Sequence, residues 1–384
     1  MSAVFERPSL WLRLKPVVQG FDWPLLLVVL ALAGLGMVTM YSVGYDHGSR
    51  FVDHGRNMLL AAVLMFAVAQ VPPQRLLALA VPLYAVGVAL LVATALFGIT
   101  KKGATRWLNL GVVIQPSEIL KLAMPLMLAW WFQRREGQLR LLDFVIAGLL
   151  LLAPVGLVAK QPDLGTSLLI LSSGLYVIFF AGLSWRLIAP LLLLAVLAIA
   201  FIVVSGDALC QPEVQWHGMR DYQKQRVCTL LDPTTDPLGK GFHIIQGMIA
   251  IGSGGLTGKG FMSGTQTHLE FIPERTTDFI FAAFSEEFGL VAVSALLLGF
   301  TFLILRGLWI AALAPTVFAR LLAGALSLGF FTYAFVNMGM VSGILPVVGI
   351  PLPFISYGGT AMVILGVALG MLMSIARSRG LMRR

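Results

Sequence analysis

The sequence is poor in charged residues. Only 12% of its 384 residues are Asp, Glu, Lys or Arg, 58% are hydrophobic and the mean hydropathy is +0.89, whereas soluble domains are about 25% charged. A water-soluble fold is therefore excluded. The alternating apolar and polar residues of a membrane β-barrel are also absent. The apolar runs must then cross a membrane as helices, which satisfy their own backbone hydrogen bonds.

Histidine and cysteine are scarce as well, with five scattered histidines and two cysteines. The sequence shows no Ser-His-Asp order and no Cys/His cluster, so it offers neither a nucleophilic triad nor a structural metal site. The net charge of +9 does not indicate nucleic acid, because no soluble basic module with stacking aromatics accompanies it. The basic residues instead fall largely in short segments between apolar runs, where they orient the protein and meet anionic lipids.

Long apolar runs recur from end to end. Each has roughly 18 to 25 residues, enough to cross a hydrocarbon core of about 30 Å as a helix. We expect about ten spans, at 24–43, 57–71, 75–98, 116–133, 142–159, 163–182, 186–205, 278–304, 319–342 and 358–376. The predicted fold class is all-α, a single polytopic membrane domain over residues 1–384.

Arginine and lysine concentrate on one side of these spans, above all before the first span, after the fourth and after the last. The positive-inside rule places this side, and both termini, on the cytoplasmic side of the inner membrane. The first apolar run is too long for the core of a cleavable signal peptide, so we expect the first helix to act as the insertion signal.

The opposite side receives one long excursion, residues 206–277. It is far longer than an ordinary connection and is therefore expected to be functional. The apolar-patterned stretch 242–251 predicts short helices that lie on or dip into the outer membrane surface. Cys210 and Cys228 both fall in this loop. A disulfide and two free thiols are both compatible with the sequence, because spacing does not fix the geometry.

Ionisable residues at the ends of spans are the main candidates for chemistry, because a charge within the membrane costs about 3 kcal/mol and must face protein or water. Glu118 and Lys121 share one helix face, either as a self-neutralising pair or as a ligand contact held by its partner. Asp163 begins the sixth span, as a helix N-cap or a site residue. Asp278 stands at the water-to-lipid boundary of the eighth span, where a partly dry carboxylate can act as a general base; a helix cap is the alternative.

Two further features are interpreted as structural. Glu286 and Glu287 lie roughly 12 Å deeper along the eighth helix and are expected to serve packing or an interface. The stretch 253–260 (SGGLTGKG) is similar to a phosphate loop, but it lacks the first Gly and the closing Ser or Thr of that motif. A turn is favoured there, with pyrophosphate binding by its backbone amides as the alternative.

Several short motifs in combination resemble the SEDS (shape, elongation, division and sporulation) family of cell-wall polymerases, over nearly the whole chain. They are residues 106–108 (RWL), 115–118 (QPSE) with Lys121, 161–166 (QPDLGT), 231–233 (LDP) with 236–239 (DPLG), 251–255 (IGSGG), 277–281 (TDFIF) and 351–353 (PLP) with 356–359 (SYGG). Residues 273–275 (PER) and 337–346 resemble the elongation branch, RodA, more than the division branch, FtsW. One departure is Thr276, which stands where close relatives usually carry His.

The resemblance implies a peptidoglycan glycosyltransferase that polymerises lipid II on the outer face of the membrane during cell elongation. It implies ten transmembrane helices and a required aspartate in the large outer loop, which maps onto Asp278. Glu118, Lys121 and Asp163 match other important family positions and form a supporting polar cluster. The candidate substrate-binding residues are Arg106, Trp107, Lys240, Arg275, Ser356 and Tyr357.

The expected reaction is an inverting glycosyl transfer. The 4-hydroxyl of one lipid II sugar attacks the anomeric carbon of another and expels undecaprenyl pyrophosphate. Asp278 serves either as the base or as a ligand for a divalent cation, Mg²⁺ or Mn²⁺. No nucleotide is needed, because the donor arrives already activated. A groove open to lipid is expected for the polyprenyl tail, and the resemblance implies a class B penicillin-binding protein, a transpeptidase of the elongation complex, as partner.

Two other functions compete with this one. A lipid II flippase or transporter would also need buried charges, but transporters commonly carry inverted repeats with broken helices at the midplane. The sequence shows no internal repeat, and its charges cluster near the outer surface. A non-catalytic scaffold for a transpeptidase is the other alternative, and it would tolerate the loss of Asp278.

Overall fold

The computed structural model describes residues 21–45, 48–101, 104–109, 111, 113–211, 213–214, 216, 221–237, 239–272 and 274–382. Helices dominate this part of the chain. They are α1 (Trp23–Val43), α2 (Arg50–Ala69), α3 (Pro73–Phe97), α4 (Pro116–Arg134), α5 (Leu141–Lys160), α6 (Leu164–Phe180), α7 (Trp185–Val204), α8 (Gly206–Leu209), α9 (Asp221–Leu231), α10 (Lys240–Ser253), α11 (Thr265–His268), α12 (Ile280–Ala312), α13 (Val317–Val341) and α14 (Gly359–Met382). The all-α prediction is confirmed.

A small antiparallel sheet interrupts the helices between α3 and α4. Its strands are β1 (Ile99–Lys101), β2 (Ala104–Asn109) and β3 (Val113–Ile114), in the spatial order β1-β2-β3. Lys101 pairs with Ala104, and Leu108 pairs with Ile114. The sequence did not predict this sheet, which carries Arg106 and Trp107.

Each of the ten predicted spans coincides with one long helix. Eight of these helices are long and apolar enough to cross a membrane by themselves, so the chain is a multi-pass membrane protein. The other two are α4, in which 13 of 19 residues are buried, and α6, which has 17 residues. Both pack against α13 in the interior, where contact with protein replaces contact with lipid. The orientation of the termini stays a prediction.

Two helices extend beyond their predicted spans because their ends carry polar residues. Helix α2 begins at Arg50, ahead of the expected residue 57, and its polar first turns include His54, which is fully buried. Helix α12 continues past residue 304 through Arg306, whose guanidinium makes two hydrogen bonds of 2.9 Å to the carboxylate of Asp22. Asp22 is also the N-cap of α1 and accepts a bond from the backbone of Leu25.

The core is built around α13, which packs against α4, α6, α12 and α14. Small residues allow some of these helices to approach closely: a Cβ added at Gly366 or Gly370 of α14 would lie 2.5 or 2.7 Å from a backbone carbonyl of α2. These two glycines therefore serve internal packing. Helix α7 is the opposite case, since none of its residues is buried.

Helix α12 is broken near its N-terminal end, at Gly289 (φ 70°, ψ −173°), and the Gly-rich stretch 254–260 fits into the break. The amide of Lys259 donates to the carbonyl of Glu286, and the amide of Gly260 donates to the carbonyl of Glu287; both distances are 3.0 Å. These amides are consumed within the fold, so the turn interpretation of the stretch is supported over pyrophosphate binding.

Glu286 fixes the same loop from the other side. Its buried carboxylate accepts bonds from Lys259 Nζ at 2.7 Å, from the amide of Gln266 at 2.9 Å and from Thr267 Oγ1 at 3.1 Å. A buried carboxylate with this many donors stabilises the fold. This agrees with the structural role expected for Glu286.

Substituting Gly258 with Ala should destabilise the fold. Gly258 has a φ of +79°, and an added Cβ would lie 2.1 Å from the carbonyl oxygen of Glu287. We expect a loss of roughly 2 kcal/mol or more in the free energy of unfolding, measured as thermal unfolding of the purified protein in detergent. Gly252→Ala is the matched control, because that glycine is helical and nothing lies within 4 Å of its added Cβ. Equal stability of the two variants would contradict this account.

Candidate active site

A cavity of about 640 Å³ lies where the small sheet, the start of α6, helix α9 and the segment before α12 meet. It is lined by Ala104, Arg106, Trp107, Pro162, Asp163, Leu164, Arg226, Asp278, Val347, Val348 and Gly349. Four residues singled out from the sequence thus meet in one place: Asp278, Asp163, Arg106 and Trp107. They are separated by up to 172 positions in the sequence (278 − 106).

The backbone around Asp278 is held by neighbours from two other elements. Asn337 Nδ2 of α13 donates to the carbonyl of Asp278 at 3.0 Å and to that of Ile350 at 2.7 Å. Ser356 Oγ donates to the carbonyl of Thr277 at 2.7 Å. These bonds fix the start of α12 against the segment 342–358, so the partly exposed carboxylate of Asp278 reaches the cavity from a rigid base.

Gly349 allows this carboxylate to lie close to the opposing backbone. Its φ is +76°, and a Cβ added there would lie 3.3 Å from Asp278 Oδ2. A side chain at position 349 would therefore be strained and would crowd the carboxylate. The glycine keeps this edge of the cavity open.

Asp163 combines the two roles that the sequence left open. Its Oδ1 caps α6 by accepting from the amide of Thr166 at 3.1 Å. Its Oδ2 accepts from Gln115 Nε2 at 3.0 Å and lies 3.7 Å from Arg106 Nη1. The cap fixes the carboxylate at the cavity wall, and the second oxygen orients Arg106.

Glu118 and Lys121 form a short ion pair of 2.6 Å between Oε1 and Nζ. Lys121 also lies over the ring of Tyr333 in α13, 5.7 Å from its centroid. Neither residue of the pair lines the large cavity. The geometry favours the self-neutralising pair, and the predicted contact between Lys121 and the substrate gains no support.

The other predicted substrate contacts divide into two groups. Ser356 and Tyr357 bind the backbone of the segment before α12. Ser356 donates to the carbonyl of Thr277, as described above, and the amide of Tyr357 donates to the carbonyl of Thr276 at 2.8 Å. Arg275 is 3% exposed, donates to the carbonyl of Val43 at 3.2 Å and lies over the ring of Tyr45, away from the cavity. The side chain of Lys240 lies outside the described part of the structure, and its role stays a prediction.

Arg226 of α9 is the cavity residue that the sequence analysis missed. Its Nη1 donates to the carbonyl of Val347 at 2.6 Å. Burial lowers the pKa of Arg226, nearby Arg106 lowers it further, and Tyr222, Asp163 and Asp278 raise it; arginine nevertheless stays charged. A second cavity of about 290 Å³ adjoins the first and shares Arg226 and Val347 with it. The available signal was weak: Tyr222 and Arg226 lie four apart, on one face of a helix.

The two cysteines are bonded to each other. The disulfide Cys210–Cys228 joins the residue after α8 to α9, which decides between the two alternatives that the sequence left open. It closes a loop with a sequence separation of 18.

The cavity places two carboxylates among two guanidinium groups. Guanidinium groups are suited to the oxygens of phosphates, which they bind in a bidentate manner. Among the described residues, no group of three or more His, Cys, Asp or Glu side chains could hold a metal ion. A Mg²⁺ ion can bind through one carboxylate together with water and substrate phosphates, and Asp278 could supply that carboxylate.

Comparison with known proteins places the chain in a family. Residues 23–380 match the family of FtsW, RodA and SpoVE, described as cell cycle proteins, and the chain belongs to this family. The peptidoglycan glycosyltransferase MrdB of Escherichia coli (strain K12) is 50% identical over 365 residues, which cover 94% of this chain and 95% of that protein. The peptidoglycan glycosyltransferase RodA of Treponema pallidum (strain Nichols) is 32% identical, covering 93% and 98%. The family prediction is confirmed.

Solved structures agree with this assignment. A chain of a peptidoglycan synthase complex, described as coordinating polymerization and crosslinking, matches with a TM-score of 0.76 and 34% identity over 94% of this chain and 98% of that chain. The crystal structure of the Rod shape determining protein RodA of Thermus thermophilus matches with a TM-score of 0.68 and 28% identity, covering 94% and 97%. The fold and the RodA-like character predicted from the motifs are therefore confirmed.

Replacing Asn337 with Ala should both destabilise the protein and reduce its activity. The side chain is fully buried, and its loss leaves two backbone carbonyls without their donor, at about 1–3 kcal/mol for each group. The start of α12 would shift, and Asp278 with it. Thermal unfolding and glycan synthesis by purified protein measure the two effects. Ser294→Ala is the control, since that exposed hydroxyl bonds only to its own helix; full activity of the Asn337 variant would show that this anchor is dispensable.

Proposed function

We propose that the chain is a peptidoglycan glycosyltransferase that polymerises lipid II at this cavity, on the outer face of the cytoplasmic membrane, during cell elongation. One observation carries the proposal. A partly exposed carboxylate, Asp278, shares a cavity of about 640 Å³ with Arg106 and Arg226. An acid–base group and two phosphate-binding groups are what a transfer from a sugar diphosphate requires. The family membership and the named activity of its relatives support it.

Asp278 acts on the acceptor in this mechanism. Its carboxylate accepts the proton of the attacking 4-hydroxyl as the new glycosidic bond forms, and the bond from the anomeric carbon to the diphosphate breaks with inversion. The bonds from Asn337 and Ser356 hold the surrounding backbone still, which keeps the base in line with the hydroxyl. Asp163 takes no part in proton transfer, because Thr166, Gln115 and Arg106 already occupy its oxygens.

Arg106 stabilises the leaving group. Its Nε and Nη2 groups donate to the backbone carbonyls of Gln161 and Pro162, so the guanidinium is held in one orientation. A preoriented guanidinium stabilises the charge that develops on the diphosphate without reorganising during the reaction. Trp107 lies beside it in the cavity wall, where its ring can cover a sugar face.

A divalent cation, Mg²⁺ or Mn²⁺, fits this site when the substrate is bound. Asp278 would hold it together with the diphosphate oxygens, and the ion would neutralise the leaving group and acidify the acceptor hydroxyl. Asp278 would then serve as ligand and orient the acceptor, and the proton of the acceptor hydroxyl would pass to solvent. Arg106 and Asp163 keep the same roles in either case.

The lipid tail and the partner follow from the same arrangement. The polyprenyl tail would lie along apolar surface such as that of α7, whose side chains are all unburied.

A structural relative belongs to a complex described as coordinating polymerization with crosslinking. We therefore propose a class B penicillin-binding protein, the crosslinking transpeptidase, as partner of this chain.

Asp278→Asn should abolish polymerisation. The variant keeps the size of the side chain and removes its negative charge, so we expect at least about a 100-fold loss of rate. The measurement is the formation of glycan chains from lipid II and Mg²⁺ by purified protein, with the transpeptidase present. Asp207→Asn is the matched control, since Asp207 is an exposed carboxylate of the same outer loop. Equal product from wild type and Asp278→Asn would favour the scaffold or transporter alternatives.

Removal of divalent cations tests the second role of Asp278. If a cation bridges Asp278 and the diphosphate, EDTA should stop polymerisation by wild-type protein and added Mg²⁺ or Mn²⁺ should restore it, because the leaving group would lose its neutralising charge. The measurement is again glycan synthesis, with the same protein before and after chelation. Undiminished synthesis in EDTA would leave Asp278 as base alone.

A further inference from the structure

Helix α9 is a wall of both cavities, yet none of its residues is buried. A surface helix of 11 residues is marginal by itself in water. Its position must therefore be set by the contacts at its edges. Those contacts decide where Arg226 stands.

The contacts that hold α9 lead to the segment that follows α8. The disulfide joins Cys228 of α9 to Cys210. Lys224 Nζ donates to the carbonyls of Gln211 and Val214, at 2.6 and 2.5 Å. One face of the helix is thus held by a covalent bond and by two hydrogen bonds. Water can replace the hydrogen bonds but not the covalent bond.

Arg226 lies two positions from the cross-linked Cys228. One of its N–H groups donates to Val347, and its guanidinium lies over the ring of Tyr222, 5.9 Å from the centroid. No other N–H group of Arg226 has an acceptor among the described residues, although a guanidinium has five donors. A partly buried guanidinium with spare donors, in a cavity that also holds Arg106, is suited to an anion with several oxygens.

We propose that Arg226 contacts the diphosphate of the lipid substrate and that the Cys210–Cys228 disulfide is a positioning element that keeps Arg226 in the cavity. The inference rests on the proposed function for its substrate. The cross-link restricts the chain between residues 210 and 228, and so limits how far the start of the Arg226 side chain can move from the cavity. Loss of the cross-link should weaken substrate binding through Arg226, with little effect on the chemical step.

A double-mutant cycle tests this coupling. The variants are Arg226→Ala, Arg226→Lys, the pair Cys210→Ser with Cys228→Ser, and the pair combined with Arg226→Ala. We expect Arg226→Ala to raise the KM for lipid II about 10-fold or more, since it removes hydrogen bonds to a charged group. Arg226→Lys should retain part of the affinity, and the serine pair should raise KM about 3- to 10-fold. In each variant kcat should change less than KM.

The combined variant gives the decisive comparison. If the disulfide acts through Arg226, the serine pair should add no further rise in KM once Arg226 is Ala. If the serine pair raises KM in the Arg226→Ala background by the same factor as in wild type, the positioning role is overturned, because the cross-link would then act by another route. An unchanged KM in Arg226→Ala would overturn the diphosphate contact itself.

Reduction of the intact protein provides a second measurement that does not depend on folding of the serine variants. A reductant added to purified wild type should raise KM as the serine pair does, and it should leave the serine pair itself unaffected. An unchanged KM of wild type whose disulfide is shown by thiol labelling to be open would contradict the proposal.

Direct binding separates this inference from the proposed function. Undecaprenyl diphosphate in detergent is titrated against wild type and Arg226→Ala, with undecaprenyl monophosphate as the comparison ligand; neither requires turnover. We expect about 10-fold weaker binding of the diphosphate in the variant and a smaller change for the monophosphate. If binding of the diphosphate depends on Arg226 but the protein does not polymerise lipid II, the proposed function alone is contradicted. If the protein polymerises lipid II but binds the diphosphate equally well with and without Arg226, this inference alone is contradicted.

Discussion

A charged or polar group inside an apolar body requires a partner, because no water is present to take its hydrogen bonds. This requirement organises the interior of the protein. Glu286 is fully buried and collects bonds from a lysine, from hydroxyls and from backbone amides. Lys121 is matched to Glu118 within one helix. The break in α12 at Gly289 exposes backbone groups, and the loop 254–260 supplies their partners. Each of these charged side chains is therefore paired within the fold.

The cavity is one of the places where this matching is incomplete. Arg106 donates to the carbonyls of Gln161 and Pro162, and Asp163 accepts from Thr166 and Gln115. By contrast, Arg226 has spare donors among the described residues, and Asp278 is partly exposed. A partly exposed charge at the edge of an apolar body can bind a ligand that brings both charge and a lipid tail. Exposure therefore distinguishes Glu286, which is fully buried, from Asp278, which is partly exposed at the cavity.

Hydropathy predicted the helices well, because a span needs only enough consecutive apolar residues. The ends were predicted less well, since α2 begins at Arg50 rather than at residue 57 and α12 continues past residue 304 through Arg306. Within the site, Asp278 and Asp163 could be singled out because a charge beside a span is anomalous, and Arg106 because its motif resembles that of the family. Arg226 carries no such anomaly: it lies among other polar residues in a long loop, and only the fold brings it to the cavity. Arg275 shows the opposite error. It lies close to Asp278 in the sequence, but its side chain points away from the cavity and donates to the carbonyl of Val43 at the end of α1.

The two walls of the cavity are stabilised by different means. The wall that carries Asp278 is fixed by buried hydrogen bonds from Asn337 and Ser356, which are strong because water cannot compete for them. The wall that carries Arg226 has no buried residue and faces water, where hydrogen bonds such as those of Lys224 exchange readily. A covalent cross-link is the kind of constraint that keeps its strength in water. Asp278 therefore stands on the part of the structure that burial makes rigid, whereas Arg226 stands on a helix that a disulfide ties to the segment after α8.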